Sequence, residues 1–128
     1  MAGRVLLDTN IVIAVFSGEN AASRELNQSE VFVSSTVLGE LYYGARKSAH
    51  AAANLARIEQ FASSVQVLSC DAVTARHYGE IRERLRSKGR PIPENDIWVA
   101  AVAIQHGLAV ATRDEHFKDV DGLAVRNW

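Results

Sequence analysis

Apolar positions along the chain fall into two alternating patterns. The first is a short, nearly continuous apolar run: "RVLL" (4–7), "VFVS" (31–34), "VQVL" (65–68) and "LAVAT" (108–112). Runs of this length are expected of parallel strands covered on both faces, and "LAV" (123–125) reads as a last edge strand. The second pattern places apolar residues three and four apart. It predicts a helix from near Asn10 to about Phe16 and another over 19–27. From Ser35, "STVLGELYYGARK" puts Val37, Leu38, Leu41, Tyr42 and Ala45 on one stripe, with Ser34 or Ser35 as its cap. Residues 50–63 carry Leu55, Ile58 and Phe61 on a stripe. Asp71 caps a long helix reaching Ser87, which Gly89, Pro91 and Pro93 stop. A final helix starts at Glu94 or Asn95 and ends at Gly107; it is apolar nearly all round, so burial is expected. Strands alternating with helices predict an α/β fold, a mostly parallel central sheet of four or five strands flanked by helices. No repeat, low-complexity tract or linker divides residues 1–128, which read as a single domain.

The pattern breaks inside its first apolar stretch. In "RVLLDTNIVIAV" (4–15), Asp8, Thr9 and Asn10 stand between core-like residues, where the first strand ends and the next helix begins. Such residues cap helices, and ligands of open parallel sheets bind outside the carboxyl ends of the strands; both uses remain open for them. Three further acids occupy related places. Asp114 follows "LAVAT" by two residues, at the same sheet edge if that strand is parallel to the first. Asp96 begins the buried helix, where the helix dipole favours an acid. Glu40 lies in the helix after the second strand, near the edge of its apolar stripe, and alone reads as a surface glutamate.

Together these four acids make a more specific pattern, because one crevice can gather them. Four ionised carboxylates about 6 Å apart, at an effective dielectric near 20, repel by roughly 17 kcal/mol in total. That matches or exceeds the whole stability of a domain, about 5–15 kcal/mol, so the cluster must hold divalent cations or take up protons. Oxygen ligands without Cys or clustered His point to magnesium or manganese, and the chemistry such ions serve is phosphodiester hydrolysis.

Composition narrows the classes. The chain has 128 residues, 48% of them hydrophobic, enough for a core that folds alone. Cys70 is the only cysteine, which excludes an internal disulfide and a zinc or iron–sulfur ligand set, fits a reducing compartment, and reads as a small buried residue. The longest apolar stretch of the C-terminal half, "IWVAAVAI" (97–104), is too short to cross about 30 Å of hydrocarbon. No secretory signal is evident, and a soluble cytoplasmic protein is expected.

The net charge of −1 conceals 14 Lys and Arg against only 11 acids once four are neutralised at a metal site. Arg82 and Arg86 share a helix face among five cations of residues 82–90, and they fit either nucleic-acid phosphate contacts or a solvated surface laced with Glu80 and Glu83. Arg113, beside Asp114, is the better candidate for the scissile phosphate. Of His50, His77, His106 and His116, only His116 lies near the proposed crevice. Trp98 is expected in the core, and Trp128 under the last strand or at a dimer contact.

"LLDTNIVIA" (6–14), "SSTVLGELYYGARKS" (34–48), "YGEIRERLRSKGRPIPENDIWVAAVAIQHGLAVATRDEHF" (78–117) and "GLAVRNW" (122–128) resemble PIN-domain ribonucleases, specifically the VapC toxins of prokaryotic toxin–antitoxin pairs. The resemblance covers nearly the whole chain and implies a PIN-like fold. It matches Asp8, Glu40, Asp96 and Asp114 to the family's acidic quartet, which holds one or two Mg²⁺ or Mn²⁺ ions. Thr9 and Asn10 match the residues that help fix the first Asp, and Thr112 matches the hydroxyl residue before the last acid. Many relatives carry Asn or another arrangement of acids where this chain has "TRDEHF"; of the adjacent Asp114 and Glu115, Asp114 is favoured as closer to the strand end. The implied activity is metal-dependent endonucleolytic cleavage of RNA by the toxin of a type II toxin–antitoxin system. The implied partners are a VapB-like antitoxin covering the active-site groove and a second copy in a homodimer.

Two rival classes remain open. One is a catalytically inactive PIN-like module that binds RNA or protein, against which four intact acids count. The other is a phosphatase with an aspartyl nucleophile, which would want a second Asp two residues after Asp8, where this chain has Asn10.

Overall fold

The apolar runs become strands and the periodic segments become helices in a computed structural model describing residues 3–128. In chain order the elements are β1 (Arg4–Leu7), α1 (Thr9–Phe16), α2 (Asn20–Gln28), β2 (Glu30–Ser34), α3 (Ser35–Lys47), α4 (Ala51–Ser64), β3 (Gln66–Leu68), α5 (Ala72–Ser87), α6 (Glu94–His106), β4 (Ala109–Ala111), a 3₁₀ helix (Glu115–Asp119) and β5 (Val125–Arg126). The strands form one sheet in the order β3-β2-β1-β4-β5, every pair parallel, flanked by the six α-helices.

Burial explains which runs sit centrally. Val5, Leu6 and Leu7 of β1 and all three residues of β4 are buried, so two neighbouring inner strands carry the least polar sequence. α6 buries Ile97 and Val99 through Ala103, the reason its apolar residues surround it rather than form a stripe. Gly107 ends it with a left-handed backbone, φ 66°, and the Leu108 N–H returns to the Ala103 carbonyl at 2.9 Å, a closure that glycine makes without strain. Ser34 caps α3 by accepting the Val37 N–H at 3.2 Å. Asp71 caps α5, its side chain and that of Thr74 each accepting the other's backbone N–H.

Chain order makes β1 a switch point: the chain proceeds from β1 to β2 and β3 on one side, then crosses back to β4 and β5 on the other. Leu7 pairs with Ala111, so the residues after β1 and after β4 emerge side by side at the carboxyl edge, where such sheets bind ligands.

Three expectations change, and one element appears that the apolar pattern does not predict. The last strand is Val125–Arg126 rather than 123–125, because a turn takes up the residues before it: the Leu123 N–H bonds the Val120 carbonyl, Gly122 has φ 78°, and pairing with β4 starts at Val125. Residues 115–119 form a 3₁₀ helix that no apolar period announces. Cys70 is exposed, not buried, since it lies in the short connection between β3 and the Asp71 cap. Trp98 is half-buried and stacks on Tyr78, ring centroids 4.1 Å apart, at the edge of the core. Among the described residues, no helix is long and apolar enough to cross a membrane.

Candidate active site

Asp8 is both a helix cap and a member of an acidic cluster. It directly follows β1 and caps α1, Oδ1 accepting the Thr9 N–H at 2.8 Å. Its Oδ2 accepts the Thr112 hydroxyl at 2.8 Å and the Asn10 side-chain amide at 3.3 Å. The carboxylate is buried, 5% exposed, and Thr112 is 2% exposed. Thr112 Oγ1 also accepts the Asp114 N–H at 2.9 Å, and Asn10 Oδ1 accepts the Arg113 N–H at 3.3 Å. Residues 8–10 and 112–114 are thus joined by side-chain bonds that continue where the β1–β4 ladder stops.

Asp114 then caps the 3₁₀ helix, its Oδ1 accepting the His116 N–H at 2.9 Å. The His116 ring folds back onto the cluster: Nδ1 lies 2.9 Å from Asp114 Oδ1 and 3.5 Å from Asp96 Oδ2. Asp96 reaches this point from the first turn of α6. The adjacent Glu115 instead pairs with Lys118 at 2.7 Å on the exposed surface, so Asp114 is the acid that faces Asp96.

Mutual influence shows how close the four acids are. Burial raises the Asp96 pKa first, the charges on Asp8 and Asp114 raise it further, and it reaches about 6 against the opposing pull of His116. Asp8 is raised by burial, with a contribution from Asp114, against the hydrogen bonds from Thr112 and Thr9. Glu40, on α3, is raised by burial and then by the Asp8 charge, with the Thr9 hydroxyl pulling the other way. Asp8 is the hub of this repulsion: Asp96 and Glu40 both feel it, and it in turn feels Asp114.

The donor set fits a divalent cation. One donor atom each from Asp96, Asp114 and His116 lie within 4.8 Å of one another; Asp8 and Glu40 stand outside that group, Asp8 joined to it through Thr112 and through its charge on Asp96, and Glu40 facing Asp8. Among the described residues, the Thr9 hydroxyl oxygen is a buried polar atom within no hydrogen bond. His116, the histidine expected near the crevice, lies within the cluster itself, two residues beyond Asp114.

The candidate arginines are engaged. Arg113 forks onto Glu19 at 2.9 and 3.1 Å and donates from Nε to the Trp128 carbonyl at 2.9 Å. Arg82 donates to the Tyr78 hydroxyl at 2.6 Å and lies 3.8 Å from Glu94 in the first turn of α6. Arg86 pairs with Glu83 on its own helix. Arg82 and Arg86 line a groove with Pro91, Ile92, Glu94 and Ile97 rather than the acidic crevice.

The same chain layout recurs in known proteins. The PIN domain family model matches residues 5–123. The chain is 41% identical to a tRNA(fMet)-specific endonuclease VapC of Shigella flexneri and 38% identical to a ribonuclease VapC2 of Haemophilus influenzae, with 98% of each chain covered in both cases. Among solved structures, a DNA-bound VapBC from Salmonella typhimurium superposes with a TM-score of 0.92 at 33% identity, covering 100% of this chain and 99% of that one. VapBC2 from Rickettsia felis, bound to a promoter DNA fragment, gives a TM-score of 0.90 at 30% identity over 98% of both chains.

Proposed function

The chain belongs to the PIN-domain family, within its VapC ribonuclease branch, and we propose that it cleaves RNA phosphodiester bonds endonucleolytically with Mg²⁺ or Mn²⁺ held by Asp8, Glu40, Asp96 and Asp114. The observation that supports this reading is the meeting of Asp96 and Asp114 at the carboxyl edge of the sheet, with Asp8 tied to Asp114 through Thr112, while burial and neighbouring acid charge raise Asp8, Glu40 and Asp96. Unrelieved, that repulsion only destabilises the fold; with a dication it becomes a binding site.

When bound, the ion supplies Lewis-acid stabilisation of the phosphoryl oxygens and a more acidic water. The chain's own residues prepare the site for it. Thr112 and the Thr9 backbone hold the Asp8 carboxylate in one orientation. Asn10 ties that carboxylate to the backbone of Arg113, and Thr112 ties it to the backbone of Asp114. Asp96 enters on a rigid buried helix. Such preorganisation is what an in-line displacement needs from the protein. Arg113, next to Asp114, would meet a phosphate once its fork exchanges Glu19 for the substrate.

The reading includes a toxin role, one PIN-like domain over residues 1–128, a cytoplasmic location, a homodimer and a VapB-like antitoxin. The VapBC assemblies among its structural neighbours support the antitoxin. So does an apolar groove of about 440 Å³ between α1, α3 and α4: it runs from Thr9 and Glu40 past Ile13, Phe16, Leu41 and Ile58, with Ile13 52% exposed. A peptide with one apolar face and one cation would fill the groove and reach the acids.

The test is cleavage of end-labelled RNA, starting with tRNA because of the Shigella relative's name. Purified protein is assayed with Mg²⁺ or Mn²⁺, with chelator, and as Asp8→Asn. Internal cuts that need the ion and vanish in Asp8→Asn are expected; equal cutting by Asp8→Asn in chelator would sink the reading.

A further inference from the structure

We propose that His116 is a nitrogen ligand of the divalent ion at this site and biases the site toward manganese-like transition ions over magnesium. This rests on the metal-dependent reading above and extends it to a residue outside the acidic quartet.

The position of the ring carries the proposal. His116 Nδ1 lies 2.9 Å from Asp114 Oδ1 and 3.5 Å from Asp96 Oδ2. Adjacent ligand atoms around an octahedral ion with bonds of about 2.1 Å sit about 3 Å apart, so the His116–Asp114 edge already has the right length and the His116–Asp96 edge is slightly wide. Among the described residues, these three make the one such group of potential ligands whose donor atoms all lie within 4.8 Å of one another.

The ring is placed by the backbone rather than by chance side-chain drift. Asp114 caps the 3₁₀ helix and accepts the His116 N–H at 2.9 Å. Phe117, the next residue, is fully buried and anchors this turn in the core. The imidazole is itself half-exposed, 50%, so its inward face meets the acids while its outer edge remains wet.

Ligand chemistry sets the preference. Magnesium takes oxygen ligands and dehydrates reluctantly, whereas imidazole suits borderline transition ions. A neutral donor also adds a bond to the ion without adding to the repulsion among Asp8, Asp96 and Asp114. Coordination would run through Nδ1, the ring nitrogen that faces both carboxylates.

The experiment uses the full chain without a histidine tag. Pulsed electron paramagnetic resonance on the Mn²⁺-loaded protein reads coupling between manganese and nitrogen directly, and calorimetry gives Mn²⁺ and Mg²⁺ affinities for wild type, His116→Gln and Asp114→Asn. Expected are a nitrogen coupling in wild type that is absent in His116→Gln, a Mn²⁺ affinity at least about tenfold weaker in that variant, and an unchanged Mg²⁺ affinity. Mn²⁺ binding that Asp114→Asn weakens but that shows no nitrogen coupling in wild type overturns the assignment of His116 and leaves the acidic site standing. No Mn²⁺ binding by wild type overturns both.

Discussion

Thr112 Oγ1 donates a 2.8 Å hydrogen bond to Asp8 Oδ2 across 104 positions of sequence, inside the protein. The same oxygen accepts the Asp114 N–H, so one hydroxyl orients two of the four acids. Thr112→Val keeps the shape and removes the hydroxyl. A hydrogen bond to a charged group contributes about 1.5–3 kcal/mol, and urea unfolding at neutral pH should show a loss of that size. The turnover number should fall further than KM rises, because Asp8 loses its orientation, and Thr112→Ser should recover most of both.

The raised pKa of Asp96 makes the metal-free protein less stable as pH rises. An acid whose folded pKa is about 6 against an ordinary 3.8 keeps its proton in the folded state after the unfolded chain has released it. The unfolded state then binds fewer protons, and stability falls between about pH 4 and pH 6. The shift corresponds to about 2–3 kcal/mol. Asp8 and Glu40 are raised too and add in the same direction. Glu19, Asp71 and Glu83, which are lowered, act the other way but only below about pH 4.5. In chelator, denaturant midpoints measured from pH 4.5 to 7 should therefore decline, and less steeply in Asp96→Asn. That variant should be more stable than wild type at pH 7 and inactive. A midpoint that climbs across this range in wild type would contradict the electrostatic account.

Much of this was legible in the sequence because strand ends and acids fall in phase with each other. The apolar runs place β1 to β4, and once those are parallel, Asp8 and Asp114 must share an edge. The Asp71 and Gly107 caps are local chemistry and were equally readable. What escaped were features set by neighbours distant in sequence. The 3₁₀ helix has no period to announce it, and it alone swings His116 back onto Asp96. Arg113 reads as a phosphate contact because it stands beside an acid, yet Glu19, 94 positions away, already holds its fork. The exposure of Cys70 depends on how the β3–α5 connection lies, not on its own apolar character.

Glu19 and Arg113, the latter next to Asp114 in sequence, form an exposed ion pair, with Arg113 also holding the Trp128 carbonyl. A phosphate that engages Arg113 must compete with Glu19. Glu19→Gln should therefore tighten RNA binding, measured by fluorescence anisotropy in the inactive Asp8→Asn background, and Arg113→Ala should weaken it. If Arg113 makes one phosphate contact, its removal should flatten the log–log salt dependence by about 0.7–0.9. Unchanged salt slopes in both variants would assign the pair to holding the α1–α2 turn against the 112–114 segment rather than to binding RNA.

Asp8, Glu40 and Asp96 are all raised by burial and by neighbouring acids, so a bound dication should relieve repulsion as well as fill a site. Ligand present at a hundred times its dissociation constant stabilises by about 2.7 kcal/mol, and thermal melts with Mg²⁺ or Mn²⁺ should rise accordingly at pH 7. The gain should shrink on acidification through about pH 6, because protons and the ion compete for Asp96. Stability in chelator and the increment that metal adds to it should thus change oppositely with pH, the first falling and the second growing from about pH 5 to 7. Asp96→Asn should remove most of the increment while raising the metal-free baseline. A salt of matched ionic strength without a divalent ion should reproduce neither effect, since screening acts weakly on buried charges; if it reproduced both, the cluster would be a general electrostatic strain and not a cation site.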